Sequence, residues 1–108
     1  MGSLAEATVA EALVADGWVL LARNWLGKAG ELDLVVARGG ALRFVEVKAR
    51  APDDPVGLEA IGEHKRRCLR RTAEEYLAQY EDLFDEACFM VALVEGPRIT
   101  WIDDAFDG

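Results

Sequence analysis

Residues 31–50 read Glu-Leu-Asp-Leu-Val-Val-Ala-Arg-Gly-Gly-Ala-Leu-Arg-Phe-Val-Glu-Val-Lys-Ala-Arg, two β-type runs divided by Gly39-Gly40. A Gly-Gly pair between such runs predicts a two-residue hairpin turn. With Arg38 paired to Ala41 across that turn, counting outward sets Asp33 opposite Glu46 and Glu31 opposite Lys48. Alternation along a strand then puts these four side chains on one face and Leu32, Leu34, Val45 and Val47 on the other. Directly opposed residues stand roughly 4.5–5.5 Å apart at Cβ. Two carboxylates at that distance repel, so a cation is expected beside them. A slip of one residue would relieve the repulsion, but it would turn one strand's apolar set to the polar face.

A purely structural explanation treats this face as solvated, with Glu31 and Lys48 as a cross-strand ion pair worth less than about 1 kcal/mol. That accounts for Glu31 and Lys48. It leaves Asp33 and Glu46 unexplained, because like charges directly opposite are destabilising. The spacing therefore favours a functional carboxylate pair.

The chain of 108 residues is expected to form one domain, residues 1–108. Its 52% hydrophobic and 30% charged residues are those of a globular protein. No apolar run reaches the length of a membrane span, and the acids Glu6, Glu11 and Asp16 near the start argue against a signal or transit peptide. Two cysteines, Cys68 and Cys88, and one histidine, His64, are too few for a structural zinc site and suggest no disulfide framework. Both cysteines are expected to be reduced and part-buried, and a cytoplasmic location is expected.

The net charge of −8 has the wrong sign for a general nucleic-acid binder. The distribution is uneven, however. Lys65, Arg66, Arg67, Arg70 and Arg71 crowd one segment, while acids gather at Glu74, Glu75, Glu81, Asp82, Asp85 and Glu86 and again at Asp103, Asp104 and Asp107.

The expected order is α-β-β-β-α-β-β. A helix spans 4–16, with Ser3 as a candidate N-cap and Gly17 as its stop. Glu6 shares a stripe there with Val9, Ala10 and Leu13, and a carboxylate on an inward stripe needs a partner. The plain alternative for Glu6 is a charge complementing the helix dipole. A strand at 18–24 leads into a turn at 25–30 and the hairpin. Ala51–Val56, with Pro52 and Pro55, is expected as a loop that could cover the hairpin face. From about Gly57 to Tyr80 the pattern is helical, with Leu58, Ile61, Leu69, Thr72, Ala73, Tyr76, Leu77 and Tyr80 on one side. Lys65 falls inside this apolar arc, whereas Arg66, Arg67, Arg70 and Arg71 fall outside it. Lys65 either snorkels to solvent or carries its ammonium to the carboxylate face. Strands at 87–95 and 98–102 close the chain. One central mixed sheet with helices packed on it is the economical arrangement.

The stretch Gly30-Glu31-Leu32-Asp33-Leu34 with Phe44-Val45-Glu46-Val47-Lys48-Ala49-Arg50 resembles the Asp…Glu-x-Lys core of restriction-endonuclease-like nucleases. The chain as a whole resembles the small bacterial YraN family, itself similar to Holliday junction resolvases. The matches include Ala5-Glu6 with Ala10 and Leu13, Gly17-Trp18, Arg23-Asn24, the hairpin, Gly57, Ile61, Lys65, Ala73, Tyr76-Leu77 and Asp104-Ala105-Phe106. A bare Asp…Glu-x-Lys is a weak motif, but the ensemble across nearly the whole chain is specific. In one departure, Cys88-Phe89-Met90 stands where many relatives carry Arg-Phe-Asp, which removes a charge pair near the sheet.

The resemblance implies a restriction-endonuclease-like α/β fold and a Mg²⁺- or Mn²⁺-dependent endonuclease acting on structured or branched DNA. Asp33, Glu46 and the Val47 backbone carbonyl would hold the metal, an all-oxygen set that hard cations prefer. A metal-bound water would attack the phosphate, with Lys48 orienting it or neutralising developing charge. Glu6 would bind metal through water or a second ion, and Lys65 would contact the phosphate from the opposite side. Arg50, Arg66, Arg67, Arg70 and Arg71 are the expected DNA contacts. Two active sites, as in a resolvase, imply a homodimer. A second class stays open: a nuclease-fold binding module acting as a protein partner in DNA processing. The acidic net charge favours the module and the intact Asp33, Glu46 and Lys48 favour the enzyme.

Overall fold

A computed structural model describes residues 4–49, 62–80 and 84–103. The elements run α1 (Leu4–Ala15), β1 (Val19–Leu26), β2 (Glu31–Arg38), β3 (Ala41–Ala49), α2 (Glu63–Gln79), β4 (Glu86–Glu95) and β5 (Arg98–Asp103). This is the α-β-β-β-α-β-β order of a restriction-endonuclease-like α/β fold. The expected Ala51–Val56 loop, the Gly57–Ile61 start of the second helix, Ser3, Arg50 and Asp104-Ala105-Phe106 lie outside the described residues.

The five strands form one mixed sheet in sequence order, antiparallel except where β3 and β4 run parallel. A parallel pair needs a crossover, and α2 supplies it. Its inward residues Leu69, Ala73 and Tyr76 pack on Val35, Ala37, Leu42, Phe44, Val91 and Leu93. On the opposite face, α1 packs Val9, Ala10 and Leu13 on Leu34, Val36, Val45, Met90 and Ala92. The sheet is therefore apolar on both sides.

The β2–β3 register matches the sequence reading: Arg38 pairs with Ala41 and Leu34 with Val45. Gly39 takes φ +62 in the turn, the sense that primed hairpin turns require. Gly40 is needed for a different reason, because a Cβ there would collide with the Asp85 side chain.

Below Leu34 the strands depart from the simple alternation. Leu32 was expected to share a face with Leu34, but it packs with the α2 cluster while Leu34 packs with the α1 cluster. The cause lies in β1. Its pairing with β2 shifts between Leu20 and Ala22, and Asn24, flanked by the pairs Arg23–Leu34 and Trp25–Leu32, has φ 50. A left-handed residue inside a strand reverses the sense of the side chains that follow it. Both strands pivot at Asn24 and Asp33, and the paired register of β2 with β3 ends at Leu34–Val45. Consequently Glu31 pairs with Leu26 of β1, and the expected Glu31–Lys48 ion pair is not formed among the described residues.

Candidate active site

The pivot opens the sheet at Asp33. With no backbone partner left on β2, the Val47 N–H donates to Asp33 Oδ2 at 2.9 Å. A side-chain oxygen thus replaces a ladder carbonyl and satisfies a donor that would otherwise be lost. In an extended strand the N–H and C=O of one residue point to the same side. The Val47 carbonyl accordingly faces the same gap.

Asp33 and Glu46 line one cavity of about 260 Å³ with Gly30, Glu31, His64, Lys65, Cys68, Leu69 and Thr72. The position of α2 over this gap is set by three features. Leu69, Ala73 and Tyr76 are buried on the sheet. The Glu75 carboxylate accepts the Lys28 N–H of the β1–β2 connection at 2.9 Å. Gly30 lets that connection approach closely, since a Cβ there would press on Thr72 Oγ1 at 3.3 Å.

The electrostatics are those of crowded acids. Burial raises the Asp33 carboxyl from 3.8 to about 7, reinforced by the charge of Glu46, a hydrogen bond with Glu46 and the more distant charge of Glu6; the Val47 N–H acts the other way. Glu46 is 5% exposed, and its Oε2 accepts from Lys65 Nζ at 2.7 Å. That bond raises the Lys65 pKa against the opposing effect of burial, with help from the charges of Glu46, Asp33 and Glu31. The expected cation beside the carboxylates is therefore Lys65. Its stem lies along the apolar arc and its side chain stays half exposed. Lys48 shares the strand face of Glu46 and is half-buried, but it does not line the cavity. Glu6 lies on the α1 stripe with buried Val9, Ala10 and Leu13, and its charge reaches Asp33 from there.

With this geometry the family can be placed. A model of the Uncharacterised protein family UPF0102 matches residues 5–94. The chain belongs to UPF0102, the YraN family. It is 48% identical over 98 residues to a UPF0102 protein of Synechococcus sp. (strain JA-3-3Ab), a match covering 88% of this chain and 75% of the relative. A UPF0102 protein of Gloeobacter violaceus is 45% identical over 113 residues, covering 96% and 90%. One of Methylococcus capsulatus is 36% identical over 110 residues, covering 98% and 89%.

In this UPF0102 chain the basic segment of α2 is not uniform. Arg67 and Arg71 are exposed, whereas Arg66 and Arg70 are half-buried with their Nε atoms shielded from solvent. Arg66 was expected outside the apolar arc. It stands at i−3 and i−7 from buried Leu69 and Ala73, which draws it inward. Arg70 pairs with Glu63 at 3.8 Å, not with Glu74, and Glu75 is engaged by the Lys28 N–H.

Besides the core residue Leu69, four cavity residues had no place in the sequence-based site: Gly30, His64, Cys68 and Thr72. The last three stand at i, i+4 and i+8 on one face of α2 next to Lys65. The helical period that singled out Lys65 was thus also the signal for them. The Cys68 Sγ lies 3.8 Å from His64 Nε2, and Thr72 Oγ1 donates to the Cys68 carbonyl at 2.7 Å. Both cysteines are part-buried, and neither forms a disulfide. Among the described residues no helix is long and apolar enough to cross a membrane.

Proposed function

We propose that this UPF0102 protein is a Mg²⁺- or Mn²⁺-dependent endonuclease that hydrolyses phosphodiester bonds of structured or branched DNA. One observation carries the reading: Asp33 and Glu46 line one cavity, where burial first and the Glu46 charge second raise the Asp33 carboxyl to about 7, with Lys65 on the cavity wall. A fold gains nothing in stability from such a pair, whereas a divalent cation would relieve it.

The donor set suits a hard cation. Among the described residues no three His, Cys, Asp or Glu side chains gather into one metal site, so a closed zinc centre does not fit. Two carboxylates with the Val47 carbonyl at the same gap fit an oxygen-bound ion that keeps several waters. Bound there, the cation supplies Lewis acidity and a water of lowered pKa. The protein's own groups do the rest. Asp33 and Glu46 hold the ion, Glu6 adds negative charge behind Asp33, and the Val47 N–H fixes the Asp33 rotamer. Lys65 leaves Glu46 to meet the phosphate, and Lys48 stabilises charge developing on it.

The Lys65–Glu46 contact and the net charge of −8 favour a second reading, a nuclease-fold module that binds without cutting. A cleavage panel of single-stranded, duplex, flap and four-way-junction DNA with Mg²⁺ or Mn²⁺ separates the two. Metal-dependent cutting of branched substrates that is lost in Asp33→Asn is the expected result. Binding with no cleavage on any substrate overturns the enzyme reading in favour of the module.

A further inference from the structure

Beyond Lys65 along α2, His64, Arg67, Cys68 and Arg71 line a second cavity of about 220 Å³. Arg67 and Arg71 stand one helical turn apart on one face. Like charges at that spacing disfavour the helix. No ion pair joins either guanidinium to a carboxylate among the described residues. His64 is the third polar side chain on this wall, three residues before Arg67. The wall thus carries clustered positive charge, opposite in sign to the carboxylate pair of the first cavity.

The two cavities adjoin. His64 and Cys68 line both of them, and the Cys68–His64 contact at 3.8 Å forms the ridge between. A negatively lined cavity that would hold a cation and the reacting phosphate therefore abuts a positively lined one that would hold an anion directly. Successive phosphates along one nucleic-acid strand are like-charged neighbours, and two adjoining cavities could take one each. Guanidinium groups bind phosphate oxygens with paired N–H donors.

The geometry points to a phosphate-binding subsite formed by Arg67, Arg71 and His64, which seats the strand phosphate next to the one held over Asp33 and Glu46. The identity of that phosphate rests on the nuclease reading; the anion pocket itself does not. The ridge residue Cys68 positions His64 toward the second cavity and touches no phosphate.

The first test uses inorganic phosphate and metal-free protein. A nitrogen-15 NMR titration of the full chain should show saturable shifts at residues 64, 67, 68 and 71. The Arg67→Gln/Arg71→Gln variant should bind at least five-fold more weakly. Both positions are exposed, and a thermal melt checks that the variant folds. Absent or unsaturable shifts, or equal binding by the variant, overturn the subsite. The second test uses a cleavable oligonucleotide carrying one neutral methylphosphonate next to the scissile linkage. The neutral linkage should slow wild type about ten-fold and the double variant hardly at all. Equal slowing of both proteins also overturns the subsite. If phosphate binds as expected while no DNA is cut, the pocket stands and the nuclease reading falls.

Discussion

The two ends of the β2–β3 hairpin both carry charge, and they handle it in opposite ways. At the turn end, Arg43 pairs with Glu86 at 3.4 Å and Asp103 at 3.7 Å, and donates to the Leu42 carbonyl at 3.1 Å. Arg38 pairs with Asp16 at 3.1 Å. Both guanidinium groups lie over the buried Trp18 ring, at 4.4 and 5.5 Å from its centroid. Both of these cations have an opposite charge and an aromatic face. At the open end, Asp33 and Glu46 meet each other, Glu6 and Glu31 add to the negative field, and among the described residues Lys65 is the cation bonded to a carboxylate of the cavity. The same two strands thus hold a charge cluster that stabilises the fold and another that strains it. Crowded like charge in a cavity is what the proposed metal site would use.

The turn end also accommodates Cys88-Phe89-Met90. Cys88 lies beside Arg43 in the β3–β4 register. Arg43 finds its carboxylates on Glu86 and Asp103 instead. Met90 is buried with the α1 cluster, and Phe89 tilts against Phe44 with centroids 5.4 Å apart. The charge balance around Arg43 is thus met without a charged residue at 88 or 90.

The largest expected effect is at Asp33. On the proposed metal site, Asp33→Asn should lower metal-dependent cleavage by more than about 10³-fold, measured in single turnover, because it would remove a ligand rather than one donor. In a chelator the same change should leave the fold as stable or more so. The sign follows from linkage. The folded carboxyl titrates near 7 and the unfolded one near 3.8. Between those values the folded state holds the extra proton, so stability falls as pH rises from about 4 to about 7. Asp33→Asn should flatten that slope. A difference on the order of 1 kcal/mol would move Tm by roughly 4–8 °C at this size. Loss of stability in Asp33→Asn at pH 7 would erase the contrast between the two ends.

Lys48→Ala should follow, with roughly 10²–10³-fold slower turnover and unchanged Mn²⁺ affinity by calorimetry. Near wild-type turnover would remove Lys48 from the site and leave its work to Lys65. Lys65→Met should likewise cost rate more than DNA affinity. Because Glu46 is only 5% exposed, leaving it without its cation should also cost stability, on the order of 1–3 kcal/mol in a urea melt.

Arg43→Met should do the reverse. Its side chain is only 17% exposed and makes charge-assisted contacts, so a loss on the order of 1.5–3 kcal/mol is expected in urea unfolding. Cleavage per folded molecule should not change. A rate loss without a stability loss would show that the turn end is no mere anchor. The smallest effect belongs to Arg38→Ala. Its bond to Asp16 joins side chains 50% and 73% exposed, and the change should fall within about 1 kcal/mol.

Much of this was legible from local pattern. The Gly39-Gly40 turn and the period-two apolar alternation determined the hairpin register, because both act over a few residues. The helical period put Glu6 on the stripe of α1 and Lys65 on that of α2, since each stripe is defined within one element. Tertiary structure decided the rest. No local signal marks where two paired strands part: the pivot at Asn24 and Asp33 is a property of β1 and β2 together, and it moved Leu32 to the other face. Nor does any segment by itself specify which cation reaches Glu46. That was decided by α2 lying across the opened sheet, seated by its buried stripe and by the Glu75–Lys28 and Gly30–Thr72 approaches, where packing between distant segments sets the distance from Lys65 to Glu46.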